Sequence, residues 1–86
     1  MVENEYEWLA NWYATRLHAV NKKSFEARKE YGDLITESLC GVYAEHEPRT
    51  EWAAKRIEEG VPKCKRCEKA LAKLAHLERF KNAVSD

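Results

Sequence analysis

The chain has 86 residues, of which 44% are hydrophobic and 35% charged, and its formal net charge is zero. This length fits a single domain, 1–86, with a thin core, and the composition is too apolar for a disordered chain. No run approaches the roughly 18 apolar residues of a membrane span, and the acidic start lacks the features of a secretory signal. We therefore expect a cytoplasmic protein with no membrane contact, and the zero net charge offers nucleic acid no long-range attraction.

The first forty residues carry two overlapping hydrophobic patterns. Trp8, Trp12 and Leu17 follow helical spacing, whereas the stretch from Thr15 to Val20 alternates as a strand does. We predict an N-terminal helical segment over 1–13, with the helix running from Asn4 to about Trp12. An all-α chain is the alternative.

A β-hairpin is predicted over 14–41. The alternation of residues 34–39, bounded by Gly32-Asp33 and Gly41, is typical of a strand. The two strands would be about Ala14–Val20 and Leu34–Cys40. A long polar loop holding Phe25 and Tyr31 would join them.

A short helix is predicted over 50–60, between the two prolines. Thr50 can cap its start, an acidic residue follows in the first turn, and Gly60 suits its end. Trp52 and Ile57 would be its buried contacts.

The clearest helix is predicted over 64–84, since apolar residues recur there in steps of three and four. They are Ala70, Leu71, Leu74, Leu77, Phe80 and Val84. The predicted fold class is therefore α+β, a small domain with an N-terminal helix, a hairpin, a short helix and a C-terminal helix.

Cys64 and Cys67 form a C-x-x-C pair at the first turn of the last helix. Thiolates at this spacing can bind one metal ion, and the positive end of the helix together with Lys63, Lys65 and Arg66 favours their charged form. Three cysteines are an odd number, which argues against a fully paired disulfide framework. Burial of the thiols as small hydrophobic side chains is the competing interpretation.

A structural zinc ion takes four ligands, so the pair needs a second half. Cys40 supplies a third thiolate, and Gly41 lets the backbone turn so that nearby amides point at sulfur. His18 is favoured as the fourth ligand because the predicted hairpin would bring it beside Cys40. His46 or an acidic side chain is the alternative, and His76 lies too far along the helix.

The order His18-Ala19-Val20, then Ser38-Leu39-Cys40-Gly41, then Cys64-Lys65-Arg66-Cys67 resembles a group of small zinc-binding proteins from actinobacteria and their phages. The resemblance covers about residues 15–75 and departs from the group in the segment 21–33 and at the N-terminus. It implies a Zn²⁺ site formed by the four residues His18, Cys40, Cys64 and Cys67. Most members of the group have no established activity.

Two surfaces are candidates for interaction. Trp8 and Trp12 are core residues or, if exposed, a protein-docking patch. Residues 61–81 carry seven basic and two acidic side chains, whereas residues 33–59 carry seven acidic and three basic ones. The basic candidates on the last helix are Lys65, Arg66, Lys69 and Lys73, which form a solvated helix face or contact phosphates.

The sequence therefore predicts a zinc-stabilised, non-catalytic domain with a structural zinc, acting as a protein-interaction or regulatory module. The resemblance implies a phage as one source of such a protein. The alternative is a nucleic-acid-binding zinc finger that uses the basic helix. An enzyme is not expected, because three thiolates would leave a zinc ion with low Lewis acidity and no other catalytic motif is present.

Overall fold

The fold is a mixture of helices and two small antiparallel hairpins, so the predicted α+β class is confirmed and the all-α alternative is wrong. The computed structural model of the chain describes residues 2–84, with side chains described for residues 4–79. In chain order the elements are a 3-10 turn (Val2–Glu5), β1 (Tyr6–Ala10), β2 (Leu17–Asn21), α1 (Lys22–Glu30), β3 (Ile35–Glu37), β4 (Tyr43–Glu45), α2 (Glu51–Glu59) and α3 (Lys65–Val84).

The predicted N-terminal helix is wrong, because this segment forms strand β1. It pairs antiparallel with β2, and in this register Trp8 lies opposite Ala19 and Leu9 opposite His18. A helix of about nine residues is marginal on its own. The strand gains a hydrogen-bonded ladder, and its Tyr6 and Trp8 are of residue types enriched in sheets.

The predicted hairpin over 14–41 is wrong in its pairing. Both of its strands exist in shorter form, but β2 pairs with β1, and β3 pairs antiparallel with β4. A backbone hydrogen bond still links the two hairpins, because the amide of Leu39 donates to the carbonyl of Ala19 at 2.9 Å. The segment that follows β3 is therefore held against β2.

Helix α1 occupies the segment predicted to be a long polar loop. Asn21 caps its start, with the side-chain oxygen accepting from the amides of Lys23 and Ser24 at 3.0 and 3.2 Å. Gly32, with φ of 83°, lies just beyond the end of the helix, where its left-handed backbone carries no steric penalty. Phe25 lies on this helix, and its ring packs edge-on against His46 with 4.5 Å between centroids.

Helices α2 and α3 lie where the sequence predicts them. Thr50 caps α2 by accepting from the amide of Ala53 at 3.0 Å. The expectation that Trp52 is buried is wrong, since it is 55% exposed, whereas Ile57 is half-buried against the core. The apolar stripe of α3 is buried at Leu71 but exposed at Leu77. The side chains of Phe80 and Val84 lie outside the described residues.

The core consists of two small clusters. Ala10, Ala14 and Ala53 form one, with Leu17 and Ile57 packed against it. The other is built on Ala19, Cys64 and Cys67, and Tyr6, Trp8, Leu39 and Cys40 pack around it. Such small side chains bury little apolar surface, and two of the three buried residues of the second cluster are cysteines. Within the described residues, no helix is long and apolar enough to cross a membrane.

Candidate metal centre

Four side chains converge where β2, the turn after β3 and the start of α3 meet. Their candidate ligand atoms all lie within 4.8 Å of one another. We call this group the Cys3His cluster; its members are His18, Cys40, Cys64 and Cys67. The four residues that the sequence predicts as ligands therefore lie close together, in an arrangement that can hold a metal ion.

The backbone places the C-x-x-C segment against the free edge of β2. The amide of Leu17 donates to the carbonyl of Pro62 at 2.9 Å, and the amide of Cys64 donates back to the carbonyl of Leu17 at 2.7 Å. These bonds form a short parallel bridge between Leu17 and Lys63. They bring the first turn of α3 beside His18, the next residue of the strand.

The distances within the cluster fit atoms that share one ion. Nδ1 of His18 lies 3.3 Å from Sγ of Cys40 and 3.8 Å from Sγ of Cys67. Sγ of Cys64 lies 3.9 Å from Sγ of Cys40. All three cysteines are free thiols, since a disulfide would need an S–S distance of about 2.05 Å. Both contacts of the imidazole use Nδ1, which makes that atom the candidate ligand.

Cys40 is surrounded by hydrogen-bond donors. Gly41, with φ of 90°, turns the chain so that the amide of Val42 donates to the sulfur, and the Ser38 hydroxyl lies 3.3 Å from it. Burial raises the pKa of the Cys40 thiol, but hydrogen bonds with Ser38, Val42, Cys67 and Cys64 together outweigh it and leave the pKa below its ordinary value of 9.0. The site therefore favours a thiolate at this position.

Cys67 is fully buried, and its sulfur accepts from the amides of Ala19 and Cys40. Burial raises the pKa of this thiol, because a lone negative charge is poorly solvated there. Burial also lowers the pKa of His18, which keeps the imidazole neutral. A neutral imidazole is the form that binds a metal, and a cation in the cluster would supply the positive charge that Cys67 lacks.

The other two histidines lie outside the cluster. His46, the alternative fourth ligand, is hydrogen-bonded through Nε2 to the Thr36 hydroxyl and packs on Phe25. His76 is exposed on α3. Of the three histidines, the structure thus groups only His18 with the cysteines.

Comparison with known protein families, curated proteins and solved structures finds no match. The resemblance to small actinobacterial and phage zinc-binding proteins stays a prediction. The function is therefore inferred from the geometry of the Cys3His cluster and from the side chains exposed on the surface.

Trp8 and Trp12, the two tryptophans predicted to lie in the core or in a docking patch, have different environments. Trp8 is half-buried against the core cluster of Ala19, Cys64 and Cys67. The Lys63 ammonium lies 4.7 Å from the centroid of its ring. Trp12 is 50% exposed, and the Arg49 guanidinium lies 4.5 Å from its ring. The basic candidates on α3 are all exposed: Lys65, Arg66, Lys69 and Lys73.

Sequence reasoning missed Ser38 as a contributor to the site. The residue is buried, and its hydroxyl lies 3.3 Å from the Cys40 sulfur. A signal was present, because Ser38 and Cys40 lie two apart in the predicted strand and would share one of its faces. In the structure they lie instead in a turn, closed by a hydrogen bond of 3.0 Å from the Gly41 amide to the Ser38 carbonyl. A serine two positions before a candidate thiolate ligand can therefore reach its sulfur.

Proposed function

We propose that the chain binds one zinc ion through the Cys3His cluster and that this ion is structural. The observation that carries the proposal is the convergence of four donor atoms within 4.8 Å. In a tetrahedral site with Zn–S of about 2.3 Å and Zn–N of about 2.0 Å, sulfur atoms lie about 3.8 Å apart and sulfur and nitrogen about 3.5 Å apart. The separations of 3.9, 3.3 and 3.8 Å lie close to these values.

The donor set favours zinc in a closed site. Thiolate and imidazole are the ligands of structural zinc, and four protein ligands complete a tetrahedron without a position for water. Catalytic zinc commonly keeps three protein ligands and one open position. We therefore infer a non-catalytic role.

The ion would add a direct link between two segments that backbone hydrogen bonds already hold against β2. Cys40 lies between β3 and β4, while Cys64 and Cys67 belong to the start of α3. Zinc binding contributes on the order of 10 kcal/mol to the folding of small domains, comparable to the whole stability of a typical one. With a core built largely of alanines, this domain depends on that contribution.

Metal analysis and circular dichroism test the structural role together. The purified protein should carry one zinc per chain, and a chelator should abolish most of its helical signal until zinc is restored. A metal-stripped protein with an unchanged spectrum would contradict the proposal.

The biological role proposed for this domain is docking to another protein. The support is a group of exposed aromatic rings in the turn after β1 and on α2. We call it the aromatic patch, and it consists of Trp12, Tyr13 and Trp52. Arg56 links its two parts, because its Nε donates to the carbonyl of Ala14 at 3.2 Å while its guanidinium lies 5.2 Å from the Trp52 ring. Exposed aromatic side chains beside arginine are typical of interface hot spots.

A matched pair of variants tests this surface. Crosslinking in lysate of the source cell, followed by mass spectrometry, should recover a partner at near-physiological salt. The double variant Trp12→Ser, Tyr13→Ser should lose it, whereas Tyr31→Ser, at a position 88% exposed but outside the patch, should retain it. Recovery of no partner, or equal loss in both variants, would count against the role.

Nucleic-acid binding is the second candidate, and the basic face of α3 favours it. Lys65, Lys69 and Lys73 recur every four residues, so they form one exposed stripe. Affinity for a duplex or single-stranded probe should then fall steeply as salt rises, because each phosphate contact releases counterions. A response independent of salt would remove this candidate.

A further inference from the structure

A cavity of about 150 Å³ lies between the β1–β2 hairpin and the segment that runs from the end of β4 into α2. We call it the hairpin cavity. Its walls are mainly apolar, and the residues that matter for its shape are Trp8, Leu9, Leu17, Ala53 and Ile57. No member of the Cys3His cluster lines it. The cavity is thus a feature separate from the candidate metal centre.

An ion pair between Glu45 and Arg49 forms the charged part of the cavity lining, and Asn11 and His46 are its other polar residues. The Glu45 side chain is only 7% exposed, and its Oε2 accepts from Nε of Arg49 at 3.0 Å. The stacking of the guanidinium on Trp12 also holds Arg49 in place. A charged pair with such low exposure on the carboxylate is costly to desolvate unless its remaining hydrogen-bonding groups are also engaged.

Part of the hydrogen-bonding capacity of this pair is unused. Within the described residues, no protein group bonds Oε1 of Glu45 or the terminal nitrogens of Arg49. Among the described residues that are not exposed, no fully enclosed side-chain oxygen or nitrogen lacks a partner, so Oε1 of Glu45 reaches accessible space. The Arg49 side chain is itself 38% exposed. The pair therefore offers a strong acceptor and strong donors side by side.

The dimensions of the cavity limit what it can hold. A cavity of roughly 150 Å³ with aliphatic and aromatic walls accommodates benzene. The walls here supply two tryptophan rings and aliphatic side chains, and ring-to-ring contacts add to the burial of apolar surface. One six-membered ring fits, and a fused bicyclic system is too large.

The charge of the lining sets the polarity of the ligand. Glu45 and Arg49 neutralise each other, so the lining has no net charge from this pair to balance an ionised ligand. A ligand carboxylate would find Arg49 but would be repelled by Glu45, whereas a neutral amide can donate to the carboxylate and accept from the guanidinium. We propose that the hairpin cavity is a binding site for a neutral, single-ring aromatic molecule that carries a hydrogen-bond donor and acceptor together.

Benzamide and benzoate provide a matched pair of probes, because they share size and shape and differ in charge and donor capacity. Titration of the zinc-loaded full chain, followed by amide and indole NMR signals, should show saturable shifts at Trp8, Trp12 and Ala53. Benzamide should bind about tenfold or more tightly than benzoate, the effect expected from one hydrogen bond to a charged group. Naphthalene-2-carboxamide should not bind.

Two variants separate recognition from general stability. Glu45→Gln removes the repulsion, so the preference for benzamide over benzoate should narrow or reverse, an effect that loosening of the fold would not produce. Glu47→Gln alters an exposed neighbour outside the cavity and should leave the preference unchanged. Shifts that do not saturate, equal binding of the two probes to the wild-type chain, or a preference that Glu45→Gln leaves intact would each overturn the proposal. If Glu45→Gln does not fold, the wild-type selectivity among the three probes decides.

Discussion

The amide of Cys64 donates a hydrogen bond of 2.7 Å to the carbonyl of Leu17, and this bond sets the C-x-x-C segment against the edge of β2. His18 follows Leu17 directly in the strand, so the same contact fixes the distance between the imidazole and the first thiols of α3. The candidate ligands are therefore brought together by backbone pairing as well as by any ion they bind. A partly preformed cluster reduces the ordering that metal binding has to impose.

Replacing the most buried ligand should abolish the zinc-dependent fold. Cys67 is fully buried, so Cys67→Ser exchanges a thiolate for a hydroxyl in the core and leaves the metal with three good ligands. We expect loss of stoichiometric zinc and of the cooperative thermal transition, measured by metal analysis and circular dichroism. His76→Ala, at an exposed position outside the cluster, should keep both. A folded Cys67→Ser protein that still holds one zinc per chain would contradict the ligand assignment.

The candidate site could be predicted from the sequence more fully than the fold could. Cys64 and Cys67 follow from local spacing at a helix start, which requires no knowledge of tertiary structure. His18 is predicted as a ligand because a hairpin would bring it beside Cys40, yet β2 pairs with β1 instead. His18 nevertheless lies beside Cys40 as predicted, because the Leu39 amide donates a hydrogen bond to the Ala19 carbonyl across the two hairpins.

The errors in the fold arise where local patterns are ambiguous. Trp8 and Trp12 are four apart, which suits a helix, but residues an even number apart also share a face of an extended chain. Only the presence of a pairing partner decides between the two, and pairing is a tertiary property. For α1, Asn21 was a readable cap signal, but the segment lacks the apolar stripe that usually reveals a helix, and none of its residues is buried.

Removing the Ser38 hydroxyl should weaken zinc binding without removing it. The hydroxyl lies 3.3 Å from Sγ of Cys40, and groups that support metal ligands in this way are typically worth about 10–100-fold in affinity. We expect Ser38→Ala to fall in that range in a chelator competition assay. Ser24→Ala, on the exposed surface of α1, is the control. Identical affinities in the two variants would show that the hydroxyl does not support the thiolate.

Loss of the cap of α2 should cost a modest and measurable part of the stability. Thr50 accepts from the Ala53 amide, and replacement of such a cap by alanine typically costs about 1 kcal/mol. Urea denaturation of zinc-loaded Thr50→Ala should show this decrease in the free energy of unfolding. Thr50→Ser retains the oxygen and should lie near the wild type. An equal loss in both variants would locate the effect in packing of the methyl group.

His46 should make the fold less stable as the pH falls. Burial, with the positive charge of Lys29, lowers the pKa of His46 from its ordinary value of 6.5. The unfolded chain therefore takes up this proton first. The contribution of His46 is complete above about pH 6.5 and is lost as the pH falls through the lower pKa of the folded state.

The variant His46→Gln isolates this contribution, since glutamine stays neutral and the zinc ligands are unchanged. We expect the difference in the free energy of unfolding between wild type and variant to shrink from about pH 7.5 to about pH 5.5. Both proteins should also lose zinc at low pH, because protons compete for the thiolates. A pH-independent difference between the two would show that His46 titrates alike in the folded and unfolded states.

X-ray absorption at the zinc edge of the purified protein tests the central claim most directly, because it reports the identity and distance of the atoms bound to the metal. The account requires one zinc per chain with three sulfur atoms at about 2.3 Å and one nitrogen at about 2.0 Å. A shell of oxygen and nitrogen alone, fewer than three sulfur atoms, or a protein purified without zinc would contradict it.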